Sequence, residues 1–212
     1  VARIANNENF DVPKYESMAA IAESDDPEEA YKAAFTIGSY VKKYGFDIDY
    51  APVADVNTNP DNIVIGPRAF SDDPETAAKF VVSYLNGLES AGVIGTLKHF
   101  PGHGDVSTDT HYGYASTDKT WDEMLKCEMI PFKAGILHAC DKLPVSMQQI
   151  DEIVTRVEQK AYSSMDGEVT SEKIGDMVMA ELKALNDVAY VRFAAVYRKF
   201  TDVGTFMDEL QK

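Results

Sequence analysis

The chain reads as an α/β unit followed by an all-helical segment, and three observations lead there. Residues 25 to 100 alternate helical and strand patterns, the grammar of a parallel sheet or barrel. From Leu143 to Lys212 the apolar residues recur at helical spacing, with no run that reads as a buried strand. Between the two patterns, residues 98 to 111 gather three of the four histidines, with Lys98, Asp105 and Asp109 among them. Pro101, Gly102 and Gly104 make that stretch a loop rather than a helix. Titratable groups just beyond a buried strand are where parallel α/β folds place their chemistry.

Asp25-Asp26-Pro27-Glu28-Glu29 is a helix start, with a capping acid, Pro in the first turn and acids at the positive end of the dipole. That helix runs to Tyr44 and stops at Gly45. Phe46 to Val56 reads as a strand leading into an Asn/Pro/Asp loop. Asp73-Pro74-Glu75 opens a second helix with Ala78, Val81, Val82, Leu85 and Leu88 on one stripe. Gly92 to Leu97 is the short apolar strand before the histidine loop. A third helical stretch starts at Asp118, is interrupted at Pro131 and continues to Cys140. In the second piece, Ser146 to Gln149 is a capping box, with Ile150, Val154 and Val157 as the stripe behind it. A turn is expected at Met165-Asp166-Gly167, and a helix from Ser171 to Leu185 with Ile174, Met177, Val178 and Leu182 inward. Asn186-Asp187 ends it, and another helix and a short acidic terminal one complete the chain. Tyr190, Phe193, Ala194, Tyr197 and Phe200 form an aromatic stripe that reads as core packing.

Composition bounds the function. A chain of 212 residues with 45% hydrophobic content can bury a core as one large or two small domains. The net charge of −15 speaks against a nucleic-acid partner, since no basic patch is available to displace counterions. No apolar run approaches a membrane span and no leader opens the segment, so a cytoplasmic location is the default expectation. Cys127 and Cys140 are too few and too isolated for a disulfide framework or a thiolate zinc site.

The loop's residue types admit three chemistries. Asp109 and His111, two apart, share a face of an extended segment and form a carboxylate–imidazole dyad suited to acid/base work. His99, His103, His111 and Asp105 have the donor types of a metal site, but not a strong zinc spacing. The histidines also suit a purely structural role, capping strand and loop backbone groups.

Lys98-His99-Phe100-Pro101-Gly102-His103-Gly104, followed by Asp109-Thr110-His111, resembles the motif of bacterial β-N-acetylglucosaminidases of glycoside hydrolase family 3. The resemblance extends to Ala51 through Asn57, Ile65 through Ser71 and Asp73-Pro74-Glu75, and covers residues 1 to 136. It implies an incomplete (β/α)8 TIM-barrel fragment. It also implies that Arg3, Arg68, Lys98 and His99 hold the hydroxyls and N-acetyl group of a terminal N-acetylglucosamine. Asp109 and His111 would be the acid/base pair of a retaining hydrolysis that needs no cofactor or metal. Taken alone, Arg68 would read as a surface ion pair. The family's nucleophilic Asp and its Asp-x-Glu-Gly-Gly-Arg segment have no counterpart, so the expectation is a chain of glycosidase type without turnover.

Cys140 through Ser146, Glu168 through Gly175 and Val188 through Phe200 resemble the ATP-cone of the bacterial ribonucleotide reductase transcriptional repressor. For residues 137 to 212 this implies a partial, all-helical domain with ATP or dATP as ligand and the helical tail as a surface for self-association. That family's basic hairpin, which grips the nucleotide, and its zinc ribbon have no counterpart here. Gly135-Ile136 fits both patterns, so the two resemblances join within one helix. A non-functional chimera is the third expectation.

Overall fold

The computed structural model describes residues 2–108, 113, 115–140, 145–163, 169–197, 204 and 207. Two short helices, α1 (Ala2–Ala5) and α2 (Met18–Ala22), precede α3 (Pro27–Lys43). In α3 the Asp26 carboxylate accepts from the Glu28 N–H, and Glu28 and Glu29 occupy the first turn. Its buried face carries Ala30, Ala34, Ile37 and Val41. Strand β1 (Ile48–Asp49) and a 3-10 turn (Gly66–Arg68) come next. Then α4 (Pro74–Ser90) is capped by Asp73, whose carboxylate accepts from the Thr76 N–H at 2.7 Å. Helices α3 and α4 approach closely because Gly87 has no side chain. A Cβ there would strike the Tyr31 carbonyl oxygen and lie 2.7 Å from the Ala34 methyl. Both helices bury small and aromatic residues in one cluster with Phe70, Val93 and Phe132. This cluster holds most of the apolar burial in the first unit.

Strand β2 (Ile94–Gly95) pairs parallel with β1, Ile48 opposite Ile94 and Asp49 opposite Gly95. The expected strands, Phe46 to Val56 and Gly92 to Leu97, shrink to two residues each, and pairing resumes only as a bridge between Val53 and Lys98. Pro52 explains the interruption, having no N–H to give the ladder. The backbone instead makes irregular contacts: the Thr96 N–H donates to the Asp49 and Ala51 carbonyls, and the Lys98 N–H to that of Pro52. The face of the pair bearing Gly95 lies under α4, since a Cβ at Gly95 would meet Leu85 and Leu88. On the other face Ile48 and Ile94 are 39% and 57% exposed.

The third helical stretch is two helices, α5 (Trp121–Leu125) and α6 (Met129–Cys140). Thr120 and Glu123 form a capping box, so the start falls after Thr120 rather than at Asp118. Pro131 does not interrupt it. It is the third residue of α6, in the first turn, where a backbone N–H has no helical acceptor to lose. The break lies at residues 126 to 128.

By contact the chain divides into two compact units, Val1–Ile136 and Leu137–Lys212. In the second, α7 (Met147–Tyr162) opens with the expected Ser146–Gln149 box. Ile150 and Ile153 are its buried residues, whereas Val154, assigned inward from the sequence, is 41% exposed. The buried stripe takes the i, i+3 step rather than i, i+4. Helix α8 (Ser171–Leu185) buries Met179 most deeply, and α9 (Asp187–Tyr197) contributes Tyr190 and Ala194 to the same cluster. The aromatic stripe thus packs into the core at Tyr190, with Phe193 beside it. Asn186 ends α8, and its side-chain Oδ1 accepts from the Val188 and Ala189 N–H groups to start α9. Glu181 of α8 ties down Arg156 and Lys160 of α7, each at 2.7 Å. The expected turn at Met165 to Gly167 lies outside the described residues, as do Phe200 and the side chain of Tyr197; of the expected terminal helix only Gly204 and Met207 are described, and both are helical. No helix among the described residues is long and apolar enough to cross a membrane.

Asp49 carries a testable cost. One of its carboxylate oxygens is buried without a hydrogen-bond partner among the described residues. Burial raises its pKa above the ordinary carboxylate value. A raised folded value means that the native state binds more protons than the unfolded one. Stability is then unpenalised below the unfolded carboxylate value and falls as pH rises through the raised folded value. Asp49→Asn should therefore melt higher than the parent at neutral pH, with the difference shrinking as the pH is lowered through that window. Thermal melts across pH check it; an advantage for the variant that is constant with pH would refute it.

Candidate active site

The site is built from the loops that leave β1 and β2. Beyond β1 the chain runs through Ala51–Val56, nearly all of it buried, and at its centre Asp55 is wholly inaccessible. A carboxylate in such surroundings must be paired or hydrogen-bonded. Its Oδ1 accepts the His103 backbone N–H at 2.7 Å. The His99 backbone N–H reaches both oxygens at 3.1 and 3.2 Å, and His99 Nδ1 lies 2.6 Å from Oδ2. One buried carboxylate thus gathers the loop after β2 around itself. The peptides Lys98–His99 and Phe100–Pro101 are cis.

Asn62 performs the companion task. Buried as well, it donates from Nδ2 to the His103 carbonyl at 2.5 Å and accepts the Val64 and Ile65 N–H groups on Oδ1. The loop after β1 and the loop after β2 are therefore pinned together on both sides of His103. Gly104 passes so close to Val56 that a Cβ would overlap the Val56 carbonyl oxygen. Gly102 has φ +130°, a region that side-chain-bearing residues rarely adopt.

The 3-10 turn presents Arg68. Its Nη1 donates to the Val64 carbonyl at 2.8 Å, and its Nη2 lies 3.4 Å from His99 Nε2. Lys98 is half-buried beside it. Burial lowers the Lys98 pKa, and the Arg68 charge lowers it further. Arg68 therefore stands beside the His99 imidazole and near enough to Lys98 for its charge to be felt, at the ends of the parallel strands. Arg68 is part of this cluster and not simply the surface ion pair that the residue alone would suggest.

The remaining expected site residues are placed differently. Arg3 belongs to α1, but its side chain is not among those described, and Asp109 and His111 lie outside the described residues. Asp105 bonds neither His99 nor His103 among the described residues. Its carboxylate accepts from Thr117 at 2.6 Å and Thr58 at 3.1 Å, and Lys119 lies 3.0 Å away. Burial pushes the Asp105 carboxyl up, but the bonds from Thr117 and Lys119 outweigh it, so the net pKa is lowered. Among the described residues no group of three or more His, Cys, Asp or Glu side chains could hold a metal. Among the described residues the His99 and His103 rings do not cap backbone: the His99 ring bonds Asp55, and the buried His103 ring has no hydrogen-bond partner there.

Sequence reasoning missed Asp55, Asn62 and the pair Lys119–Glu128. The signal for Asp55 was a single acid within the apolar run Ala51-Pro52-Val53-Ala54-Asp55-Val56, a burial that demands a donor set. Glu128 left no such mark, since it reads as one more exposed helical acid. In the structure it is 1% exposed, ion-paired with Lys119, and packed beneath Gly102. One turn further along, Phe132 meets Phe100 edge-on at 5.5 Å. At Gly135 a Cβ would press on Leu97. Glu128, immediately before α6, and Phe132 and Gly135 within it are spaced i, i+4, i+7 and support Gly102, Phe100 and Leu97 in turn.

Such an arrangement defines a parallel α/β domain with its polar groups at the strand ends. Residues 11–153 match the Glycosyl hydrolase family 3 N terminal domain, and the chain belongs to that family. Residues 131–203 match the ATP cone domain. A beta-hexosaminidase from Stenotrophomonas maltophilia is 38% identical over 135 residues, which is 62% of this chain and 39% of that protein. The transcriptional repressor NrdR from Acetivibrio thermocellus is 58% identical over 78 residues, 37% of this chain and 52% of the repressor. The crystal structure of a family 3 glycosyl hydrolase from Mycobacterium smegmatis aligns with a TM-score of 0.55 at 32% identity, over 62% of this chain and 40% of that one. NagZ from Neisseria gonorrhoeae in complex with N-trifluoroacetyl-D-glucosamine aligns with a TM-score of 0.55 at 25% identity, over 58% and 38% of the two chains. The chain therefore spans about two fifths of the first relative's length and about half of the second's.

The ion pair beneath the loop is separable by mutation. Lys119→Ala leaves Glu128 buried without its cation, and should cost about 3 kcal/mol of stability. Adding Glu128→Gln removes the stranded charge and should recover much of that loss. Denaturant melts of the two single variants and the double variant measure the coupling; equal costs for Lys119→Ala in both backgrounds would exclude it.

Proposed function

We propose that residues 1–136 are a partial family 3 (β/α)8 barrel that holds a terminal N-acetylglucosamine unit at the ends of its strands. The observation that carries this reading is the cluster of Arg68, Lys98 and His99 around the buried Asp55 carboxylate. Two cationic donors and an imidazole within one loop system suit a neutral, hydroxyl-rich ligand better than an apolar one. The similarity to a beta-hexosaminidase and to NagZ complexed with an N-acylated glucosamine supports the choice of sugar.

Within this reading Arg3 joins Arg68, Lys98 and His99 in holding hydroxyls and the N-acetyl group. Asp109 and His111 form the acid/base pair. The reaction class is retaining hydrolysis, in which a second carboxylate attacks the anomeric carbon and the acid protonates the leaving oxygen. No counterpart of that nucleophile is recognisable in this sequence, and acid/base assistance alone supplies about 10²–10⁴-fold. The chain therefore binds saccharide without sustained turnover. Calorimetric titration with N-acetylglucosamine should show binding that Arg68→Ala weakens, and a p-nitrophenyl N-acetylglucosaminide should release no p-nitrophenol. Absence of binding would overturn the saccharide reading. Release that Asp109→Ala abolishes would overturn the absence of turnover.

A second reading concerns residues 137–212 as a partial ATP-cone helical domain, and the match of residues 131–203 favours it. Its ligand is ATP or dATP, with the helical tail as a surface for self-association. The two readings together describe a chimera of a glycosidase fragment and a nucleotide-responsive segment. Titration with ATP should give micromolar binding accompanied by a change in sedimentation. If no heat is evolved, the segment is a helical scaffold and not a nucleotide sensor.

A further inference from the structure

The hydrogen-bond geometry around His99 settles more than its position. Every polar group that approaches the Asp55 carboxylate among the described residues is a nitrogen. Two are backbone N–H groups, from His99 and His103, and the third is His99 Nδ1 at 2.6 Å. An ionised carboxylate only accepts, so the hydrogen of that bond sits on Nδ1. The other ring nitrogen faces a group of opposite character. Arg68 Nη2 lies 3.4 Å from Nε2, and a guanidinium only donates. Nε2 therefore keeps its lone pair. An acceptor on one side and a donor on the other impose the same tautomer. The imidazole is also partly open, with 36% of the side chain exposed, while Asp55 is fully enclosed.

We propose that Asp55 is the positioning residue that fixes His99 as a hydrogen-bond acceptor, so that the site reads a ligand hydroxyl by taking its hydrogen at Nε2. The inference rests on the saccharide reading for the ligand but not for the tautomer. Arg68 and Lys98 are donors, and two cations alone would bind the lone pairs of any oxygen, whether hydroxyl, carbonyl or anion. An imidazole locked as acceptor adds the discrimination that they lack. A hydroxyl can replace the long 3.4 Å Arg68 contact at Nε2, giving its hydrogen to that lone pair and leaving Arg68 to donate to the hydroxyl oxygen. An ether or carbonyl oxygen has no hydrogen to give Nε2, which then keeps only its long contact with Arg68. The same carboxylate also holds the His99 backbone N–H, so ring and main chain are aimed by one group.

The test is the long-range proton–nitrogen spectrum of the histidine rings in the full chain. The wild-type chain without saccharide should show His99 protonated at Nδ1 and bare at Nε2; the opposite tautomer would overturn the proposal. In Asp55→Asn the amide oxygen must stay on the His103 N–H, turning the amide nitrogen towards the ring. The tautomer should then invert, and affinity for N-acetylglucosamine should fall about tenfold, the loss of one hydrogen bond. Retention of the Nδ1–H form in a folded Asp55→Asn chain would also overturn it. Should that variant not fold, titration of the wild-type chain decides: the Nε2 resonance of His99 should move on adding N-acetylglucosamine. Saccharide-induced shifts at Lys98 and Arg68 that spare Nε2 would count against the acceptor role. No response anywhere would reject the saccharide reading, while the resting tautomer would still decide what Asp55 does.

Discussion

The need to satisfy one buried carboxylate organises this site. Asp55 lies within an apolar segment where solvent does not reach, and a charge there persists only if the surrounding chain supplies donors. The donors come from the loop after the neighbouring strand, two from its backbone and one from the His99 ring. The short β1–β2 ladder alone would hold that loop poorly, with only two paired residues per strand. The carboxylate replaces the missing ladder with bonds of the charge-assisted kind, roughly twice as strong as neutral ones. Asn62 completes the arrangement from the other side of His103.

Around this centre the charges are sorted by what they face. Lys98 and Arg68 stand at the open end of the strands, and their mutual proximity together with burial depresses the Lys98 pKa. Lys119 has the opposite surroundings. Burial disfavours its charge, but Glu128 and Asp105 outweigh that, and its pKa is raised. One lysine is thus committed to internal support, while the other is held beside Arg68 and His99. The two acids that neutralise Lys119, Asp105 and Glu128, are paired with it and not with Lys98 or Arg68.

Legibility in the sequence tracked the range of the interactions. The starts of α3, α4 and α7 were readable because each is set within four residues, by Asp26-Pro27, Asp73-Pro74 and Ser146–Gln149. The strands were readable in place but not in extent, because Pro52 interrupts a ladder whose partner lies some 45 residues away. Pro131 misled for a related reason: whether a proline ends a helix depends on whether its N–H would have been used, and in a first turn it would not. The gathering of Arg68 near Lys98 and His99 was legible through the family motif. Asp55 and Glu128 were not, because their roles come from burial, which a residue's own neighbours in sequence do not declare. Val154 shows the same limit, since either of two stripes fitted the pattern and packing chose the other.

Helix α6 carries a last consequence. The three positions that prop the loop, Glu128, Phe132 and Gly135, all lie before Ile136, and the residues from Leu137 onward belong to the second unit. The two family matches overlap across this same helix. A crossover placed after Gly135 therefore leaves every prop in its original sequence and its original helical phase. The loop that carries His99 is thus propped from positions 128 to 135, ahead of the point where the second unit begins.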